Sequence, residues 1–195
     1  MALNVEIDAS FMPVYEVDEM PIMRQDGIEF HLHIGAFGQY KGKGHAVLTT
    51  KRLILINRET MFKNFRSFSL PYRNTFEEFM KQGMMGRFQV DGACRPHMGM
   101  FSENVRFKIW FNMGGCFHFE HVYRRLLLRC RANWDMNRMM VEFRSPMFMG
   151  EYNNFGACND VQLLVTPGGM GGMGGMGGMN TMNAYPTLNN PMAMQ

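Results

Sequence analysis

The sequence predicts an α+β fold that is mostly β: a bent antiparallel sheet closed by one C-terminal helix and followed by a disordered tail rich in Met and Gly. Short runs in which apolar and polar residues alternate follow one another from residue 27 to residue 118, as expected for strands with one buried face. One amphipathic helical period comes next, from about Phe119 to Asn133. The repeat Gly-Gly-Met then runs from residue 168 to Met179 and is followed by an end rich in Asn, Thr, Pro and Met, and glycine at that density prevents a fixed backbone.

These patterns divide the 195 residues into four segments. They are an extended N-terminal arm at 1–26, a β-rich domain at 27–135, an irregular extension at 136–166 and a low-complexity Gly/Met tail at 167–195. The arm carries two prolines and no clear hydrophobic period. In the extension, Pro146 and Gly156 interrupt every pattern, so that only residues 139–143 and 161–165 can form stray strands.

The first strands follow from alternation and turn chemistry. Residues 27–34 predict a half-buried strand with its histidines on the exposed face. The residues predicted to be buried are Ile28, Phe30, Leu32 and Ile34. Residues 45–48 and 52–56 predict a β-hairpin around the polar turn at 49–51. Gly44 precedes the hairpin and, because it has no side chain, allows the chain to enter the sheet.

The later strands are shorter. Residues 65–70 alternate and end at Pro71, because proline donates no ladder hydrogen bond. The turn at Gly114 and Gly115 follows another alternating run. Further short strands are predicted at 76–81, 87–90, 105–111 and 116–118. Residues 75–82 also fit a helical period, and we favour the strand.

The helix at about 119–133 has one apolar face and one basic face. Phe119, Val122, Leu126 and Cys130 recur at helical spacing on the apolar face. The basic face carries Arg124, Arg125, Arg129 and Arg131. A helix with this pattern is predicted to cover the open end of the sheet.

Composition excludes several classes of protein. The net charge of +3, from 20 basic and 17 acidic residues, is too weak for direct nucleic-acid binding. Four widely spaced cysteines without a Cys-x-x-Cys pair indicate a reduced intracellular compartment. The first ten residues carry acids and do not resemble a signal peptide. We therefore expect a cytoplasmic protein, with the nucleus and a membrane periphery left open.

Residues 41–54, Lys-Gly-Lys-Gly-His-Ala-Val-Leu-Thr-Thr-Lys-Arg-Leu-Ile, resemble the GRAM domain signature. In that signature a glycine precedes a strand ending in Leu-Thr, and a short turn leads to Arg and a second apolar strand. The start Met-Ala-Leu-Asn, the segment Phe-Ser-Leu-Pro-Tyr at 68–72 and the segment Gly-Gly-Cys-Phe-His-Phe at 114–119 are similar to segments of the WW-domain-binding protein two family. These likenesses cover roughly residues 27–135 in order, which makes them more specific than one short motif.

The resemblance implies a PH-like fold, in which a bent sheet of about seven strands is capped by one helix and serves lipid or protein contacts. Family members also carry Pro-Pro-x-Tyr motifs that WW domains bind. This sequence has no adjacent prolines, which puts WW-domain binding and the associated coactivator role in doubt.

The first candidate site is a surface for anionic lipids on the hairpin. Its predicted residues are Lys41, Lys43, Lys51 and Arg52. Each basic residue near an anionic membrane adds about 1 kcal/mol, so four of them suffice for docking if they converge. The alternative is ordinary solvated strand ends.

The second candidate site binds a protein partner. One part is the helix face of Arg124, Arg125 and Arg129, although Glu120 lies four residues before Arg124 and favours a simple pair on the helix surface. The other part lies in the tail, where Tyr185, Pro186 and Leu188 belong to a short exposed peptide.

Metal binding and catalysis have weaker support. Cys116, His118 and His121 are three potential zinc ligands in a short span, but a structural site needs a fourth ligand. Core cysteines and partly exposed histidines are the favoured interpretation. The thioethers of the tail methionines are a ligand type for Cu(I), although low-complexity sequence without a metal-binding role is the simpler interpretation of these methionines. No nucleophile elbow or phosphate-binding loop is present. We predict no cofactor, no metal and no enzyme activity.

The predicted function is therefore a non-enzymatic intracellular adaptor. Its GRAM/PH-like domain would bind a membrane lipid or a protein partner, and its tail would display interaction peptides. The alternatives are a structural or assembly subunit of a larger complex, and a transcriptional co-regulator as in the resembled family.

Overall fold

A computed structural model of the chain describes residues 2–59, 65–83, 86–96 and 102–166. The predicted tail, with Tyr185, Pro186 and Leu188, lies outside the described residues. The described part contains nine strands and three helices. The strands are β1 Ala2–Leu3, β2 Pro21–Ile34, β3 Gly38–Thr49, β4 Arg52–Asn57, β5 Ser67–Pro71, β6 Thr75–Gln82, β7 Phe88–Cys94, β8 Val105–Phe111 and β9 Val161–Leu163. The helices are α1 Cys116–Arg131, α2 Met136–Phe143 and α3 Pro146–Asn153.

All nine strands belong to one antiparallel sheet, so the prediction of a mostly β chain is confirmed. The strand order is β1-β5-β4-β3-β2-β8-β7-β6, and β9 pairs with the first part of β2. The predicted number of about seven strands is too low for the described residues, because β1 and β9 are short strands supplied by the arm and the extension.

The hairpin and the first strand were predicted correctly. In β3 and β4, His45 lies opposite Ile56 and Leu48 opposite Leu53. Gly44 packs against backbone, since a Cβ there would lie 2.1 Å from the carbonyl oxygen of Ile56. In β2 the four residues predicted to be buried are buried, so one face of the strand belongs to the core.

One core fills the inner side of the sheet. It joins Leu53 and Phe68 from one half of the sheet, Phe107 from the other half, and Phe119 and Leu126 from α1. Helix α1 therefore covers the inner face, as its apolar period predicts. Helices α2 and α3 extend this core through Met139, Phe143 and Phe148.

The predictions for the two ends of α1 need correction. The predicted strand at 116–118 is wrong, because α1 begins at Cys116 and ends at Arg131. Gly114 and Gly115 have φ values of 111° and 78°, which ends the extended chain and starts the helix.

The predicted irregular extension at 136–166 is also wrong in its secondary structure. Residues 139–143 belong to helix α2, and only 161–163 of the second stretch form a strand. Asp135 caps α2 by accepting a hydrogen bond from the backbone nitrogen of Arg138, and Ser145 caps α3 in the same way. Pro146 occupies the first turn of α3, where its missing N–H removes no hydrogen bond.

The N-terminal arm, residues 2–20, packs across the outer face of β3, β4 and β5. Residues 21–26, which the sequence assigned to the arm, belong to β2. A second apolar cluster forms under the arm, where Ile7, Met12 and Tyr15 contact three buried sheet residues. These are Val47, Ile54 and Ile56. The arm thus makes β4 buried on both faces.

Candidate anion-docking face

The outer face of the sheet is divided into a covered half and an open half. On the covered half, polar side chains of the sheet bond to the arm. The bonds are His45 Nε2 to the Phe11 carbonyl oxygen, Thr49 Oγ1 and the Arg52 guanidinium to Glu19, and Ser67 Oγ to the Val5 carbonyl oxygen. The open half consists of the first part of β3, the second part of β2, and β8, β7 and β6.

A row of three basic residues crosses the open half. His31 of β2 lies directly opposite Lys41 of β3 on one side and directly opposite Lys108 of β8 on the other. Directly opposite Cβ atoms in a sheet are about 5 Å apart. The two lysines are exposed, and His31 is half-buried between them. We call Lys41, His31 and Lys108 the basic row.

The acidic residues near the two lysines contact other side chains. Asp91 lies opposite Lys108 on β7, but its Oδ2 binds Lys81 Nζ at 2.8 Å and its Oδ1 accepts from Gln89. Glu29 binds Arg87 at 3.2 Å and lies 3.5 Å from His31 Nε2. Within the described residues, no ion pair is formed by Lys41 or Lys108.

The next row extends the positive surface. His33 lies opposite Gln39 on β3 and opposite Arg106 on β8. Arg106 is exposed, and its nearest carboxylate oxygen, on Glu77, is 3.9 Å away. This long and exposed ion pair leaves most of the arginine charge available to a ligand.

An aromatic side chain borders the basic row. The ring of Trp110 contacts the ring of His31 edge-to-face, with a centroid distance of 4.6 Å. Trp110 Nε1 donates a 3.0 Å hydrogen bond to Gln89 Oε1, which fixes the indole on the face. The contact limits the motion of the imidazole and shields it partly from water.

His31 responds to this environment through its pKa. Partial burial lowers the pKa of His31 below its usual range, and the charge of Lys41 lowers it further. Glu29 acts in the opposite direction, and Lys108 lowers the pKa again. The free protein therefore holds a neutral imidazole between two ammonium groups.

The arrangement is suited to holding an anion. The two ammonium groups lie on either side of one strand, and an anion bound over His31 would be attracted by both of them. The two lysines supply charge, and His31 supplies a ring N–H. The two lysines are exposed on the face of a sheet, which fits an extended anionic surface better than a small enclosed ligand.

The predicted lipid residues do not form one site. Lys41 belongs to the basic row, and exposed Lys43 lies 3.8 Å from Glu59. Lys51 is at the opposite end of the hairpin, about 20 Å away along β3, where its Nζ donates to the Val17 carbonyl oxygen at 2.5 Å. The prediction that all four converge is therefore wrong in its geometry.

Arg52 is also removed from the surface. Its side chain is only 9% exposed, and its Nε and Nη2 donate to the two carboxylate oxygens of Glu19 at 2.8 Å each. Burial alone would raise the pKa of Glu19, but the hydrogen bonds from Arg52, the Glu16 backbone and Thr49 outweigh it and keep the pKa low. Arg52 therefore anchors the arm.

The predicted arginine face of the helix binds the protein's own extension. Arg129 donates two hydrogen bonds to Glu142 of α2, at 2.7 and 2.8 Å. Arg125 binds Glu142 at 3.0 Å and also binds Glu151 of α3. Arg124 alone of the three predicted residues points outward, and it pairs with Glu120 on the same helix. This surface is mainly an internal clamp between α1, α2 and α3.

The three candidate zinc ligands are held separately. His118 Nε2 bonds to the Gly156 carbonyl oxygen at 2.9 Å, and His121 lies 3.5 Å from Glu151. Burial raises the pKa of the Cys116 thiol, which disfavours the thiolate a metal needs. In the described ranges, no group of three or more His, Cys, Asp and Glu side chains is placed to hold a metal ion.

Two buried cysteines also lack the character of nucleophiles. Burial raises the pKa of Cys94 and that of Cys130 to about 11 each. Their thiols stay protonated near neutral pH.

A cleft of about 800 Å³ lies at the other end of the hairpin, where Lys51 and Arg52 border it. It also contains Arg73, Asp18 and Asp135, so both signs of charge are mixed. No single ligand chemistry follows from this mixture.

Sequence reasoning missed His31, His33, Arg106, Lys108 and Trp110 as parts of the site. Alternation places the histidines on the exposed face of β2, and the same rule applied to 105–111 would have placed the other three residues together. The pairing of β2 with β8, which joins the two groups, has no local signal in the sequence.

No helix in the described part of the chain is both long and apolar enough to cross a membrane. Comparison with known proteins gives no relationship: no family model matches the chain, and no curated protein matches it significantly.

Proposed function

We propose that the protein is a non-enzymatic intracellular adaptor that docks on anionic membrane surfaces through the open half of its sheet. The observation that carries this proposal is the alignment of Lys41, His31 and Lys108 across three strands. Such an alignment presents two positive charges on one face, where each is attracted to a negative surface.

The proposal includes a PH-like fold for the domain. Strands β2 to β5 form one antiparallel meander, and strands β6 to β8 form another. The two meanders join through the pairing of β2 with β8, and α1 follows β8 directly. This arrangement supports the fold that the resemblance to GRAM domains implies. Strands β1 and β9 are then additions from outside the domain.

The energetics are those of weak peripheral docking. Each basic side chain near an anionic membrane contributes about 1 kcal/mol, and the effect decays within a Debye length. The two lysines, Arg106 and Lys43 together give a salt-sensitive interaction of moderate strength. The surface density of anionic lipid in the membrane therefore determines how much protein binds.

The direct test measures binding of the full chain to phosphatidylcholine vesicles with and without about a third of phosphatidylserine, a content chosen to give a surface potential typical of cytoplasmic leaflets. The test variant is Lys41→Glu/Lys108→Glu. Its matched control is Lys51→Glu/Arg73→Glu, which makes the same charge change at residues bordering the cleft. We expect the test variant to lose binding and the control to retain most of it. Equal loss in both variants would contradict a site on the open half, and no binding by the wild type would contradict membrane docking.

A second candidate function, docking of a protein partner, is supported by the edge of the sheet. Among the described residues, strand β6 has a neighbouring strand on one side only, and an apolar groove of about 130 Å³ separates it from α1. Leu128, which borders the groove, is 60% exposed. Extended peptides bind such edges by adding a strand.

The second candidate is tested by the size of the native particle. A stable assembly subunit would run as a large particle in cell extract, and Leu128→Asp would reduce that particle to the mass of the single chain. Val141→Asp is the matched control, because Val141 is an exposed apolar residue of α2. A single-chain mass for the wild type would remove the assembly alternative.

A further inference from the structure

The groove between β6 and α1 is open although much of its wall is apolar. Its volume is about 130 Å³, and a cavity of about 150 Å³ holds a benzene molecule, so the groove has room for one large apolar side chain. Leu128, on the α1 side, is 60% exposed, and Phe79, on the β6 side, is 49% exposed. Exposed apolar side chains beside a strand that has no second neighbour among the described residues favour association with another segment.

The charged side chains at the groove are paired with each other. Arg131 of α1 lies 2.7 Å from Glu78 of β6, and Arg124 pairs with Glu120 one turn away on α1. The two acidic and two basic residues that line the groove therefore balance. A charged ligand would have to displace one of these pairs, whereas an uncharged segment would leave both in place. The groove thus fits an apolar segment without charged side chains.

The chain contains such a segment after residue 166. Residues 167–195, which lie outside the described residues, include no Asp, Glu, Lys, Arg or His. Within them, residues 182–188 read Met-Asn-Ala-Tyr-Pro-Thr-Leu. The even-numbered residues of this stretch are apolar, and the odd-numbered ones are polar or carry a hydroxyl group. Alternation of this kind predicts a strand with one apolar side. We call residues 182–188 the alternating segment.

The proline of the alternating segment is compatible with pairing to β6. A proline in a sheet is tolerated on an edge strand where its missing N–H would face away from the ladder. A segment that adds to β6 becomes the new edge strand, and every second N–H on such a strand faces away from the sheet. Pro186 therefore does not prevent the pairing. Asn189, Asn190 and Pro191 follow as a turn signal that ends the strand.

The alternating segment is within reach of the groove. Leu164 N donates to the Ile22 carbonyl oxygen, so the chain leaves β9 at the start of β2. The residue before β2 bonds to Thr50, whose carbonyl oxygen accepts from Cys130 Sγ in the last turn of α1. Steps of about 5 to 7 Å between such neighbours place the groove within roughly 35 Å of residue 166. The 15 residues 167–181 extend to about 50 Å, so they span this distance.

Surface depressions join the two places. Arg73 and Asn74 border both the cleft that contains Thr50 and a shallower depression of about 500 Å³. Glu78 and Arg131 border both that depression and the groove. A chain that starts beside Thr50 can therefore follow the surface to the groove along the end of α1.

We propose that the alternating segment adds to the edge of β6 in the same chain and places its apolar side in the groove against α1. This inference does not rest on membrane docking; it gives the groove of the second candidate function an occupant. A tethered segment has an effective concentration of millimolar order at its site, so a contact too weak to hold a free peptide is sufficient. The segment covers Leu128, and a protein partner would have to displace it.

The first experiment follows hydrogen exchange by mass spectrometry in the full chain. The test variant Met182→Asp/Leu188→Asp places two charges on the apolar side of the alternating segment. Its matched control, Asn183→Asp/Thr187→Asp, places the same two charges on the other side. The amides of β6 and of the alternating segment should be protected in the wild type and in the control. They should exchange roughly tenfold faster or more in the test variant, because two buried apolar side chains are lost.

The second experiment changes the groove instead of the segment. Leu128→Asp should release the alternating segment as the test variant does. Val141→Asp changes an exposed apolar residue of α2 and should leave the segment protected. Thermal unfolding of both variants shows whether the fold persists. The two tail variants keep every residue from 2 to 166 unchanged, so their result stands even if Leu128→Asp misfolds.

Three results would overturn the proposal. The first is exchange of residues 182–188 in the wild type at the rate of an unstructured peptide, and the second is an equal effect of the two tail variants. The third is protection that grows with protein concentration together with a dimer mass, which would place the segment in the groove of a second copy. A large native particle that Leu128→Asp disperses, in a chain whose alternating segment is unprotected, would assign the groove to a protein partner.

These results are independent of the vesicle experiments. Lys41, His31 and Lys108 are unchanged in every variant used for the groove. Loss of vesicle binding in Lys41→Glu/Lys108→Glu therefore tests membrane docking alone, and exchange of residues 182–188 tests the occupant of the groove alone.

Discussion

Arg52 and Glu19 form a doubly hydrogen-bonded ion pair in which the Glu19 side chain is completely buried. The pair joins the start of β4 to a residue 33 positions earlier in the chain. Thr49 Oγ1 donates a further 2.6 Å hydrogen bond to Glu19. The N-terminal arm is thus fixed to the sheet by a polar contact at the end of its apolar cluster.

Glu19→Gln should destabilise the fold by about 3 kcal/mol, because removing one partner of a buried pair leaves the other charge without compensation. The value lies at the low end of the range for such pairs, since Glu16 remains 3.1 Å from Arg52. Urea unfolding followed by circular dichroism measures the change. The double variant Glu19→Leu/Arg52→Met should recover much of the loss, and a single variant as stable as the wild type would show that the pair contributes little.

His45 should make the fold weaker in mild acid. Burial lowers the pKa of His45 from 6.5 to about 4, and its Nε2 donates to the Phe11 carbonyl oxygen, so the buried Nδ1 carries no proton. Between these two pH values the unfolded chain binds a proton that the folded chain excludes. Stability therefore falls as the pH drops from 6.5 towards 4, by an amount on the order of 3 kcal/mol.

His45→Gln separates this effect from the acid sensitivity of the carboxylates. Glutamine can still donate to the Phe11 carbonyl oxygen but does not titrate. Urea unfolding at several pH values between 4 and 7 should show a smaller pH slope in this variant than in the wild type. Identical slopes would mean that His45 does not control the acid response.

His31 should make anion binding stronger in mild acid. Burial and the charges of Lys41 and Lys108 lower the pKa of free His31, whereas a bound anion raises it. The extra affinity is fully present below the free pKa and is lost as the pH rises through the pKa of the bound form. One added charge near the membrane is worth about 1 kcal/mol, or about a fivefold change in binding.

The measurement is vesicle binding as a function of pH at constant ionic strength, with His31→Gln as the non-titrating variant. The variant should bind with a flatter pH profile than the wild type. A control at His33, which lies on the same strand and faces outward, shows whether the response belongs to His31. An unchanged profile in His31→Gln would remove His31 from the response.

Glu142→Gln should loosen the extension without unfolding the domain. Its carboxylate accepts hydrogen bonds from both Arg125 and Arg129, and these bonds outweigh the effect of burial and keep the pKa of Glu142 low. Loss of the charge should cost about 1 to 2 kcal/mol, since the pair is only partly buried. Hydrogen exchange measured by mass spectrometry should become faster in α2 and α3 and stay unchanged in β3 and β4. Uniform acceleration across the chain would contradict a local clamp.

The strands were largely predictable because their buried and exposed residues alternate. Val105–Phe111 and the second part of β2 show this clearly. Helices α2 and α3 were missed because each has only eight residues, too few for a clear period. Their start signals, Asp135 and Ser145 followed by Pro146, are present in the sequence and were outweighed by the nearby glycines and prolines.

The site was harder to predict than the fold because it depends on contacts between distant residues. Alternation gives the outward direction of His31 and Lys108 separately, but only the pairing of β2 with β8 puts them side by side. The hairpin cations Lys51 and Arg52 looked equally available in the sequence. Nothing local shows that Glu19 binds Arg52 and removes it from the surface.

The position of the arm also bears on how the chain folds. Leu3 pairs with Phe68, and the arm closes over β3, β4 and β5, so we expect its docking to be a non-local step that follows assembly of these strands. Until that step, Val47, Ile54 and Ile56 face water on adjacent strands, a surface through which partly folded chains associate. We therefore expect arm closure to end the period in which this apolar surface of the newly folding protein can cause aggregation.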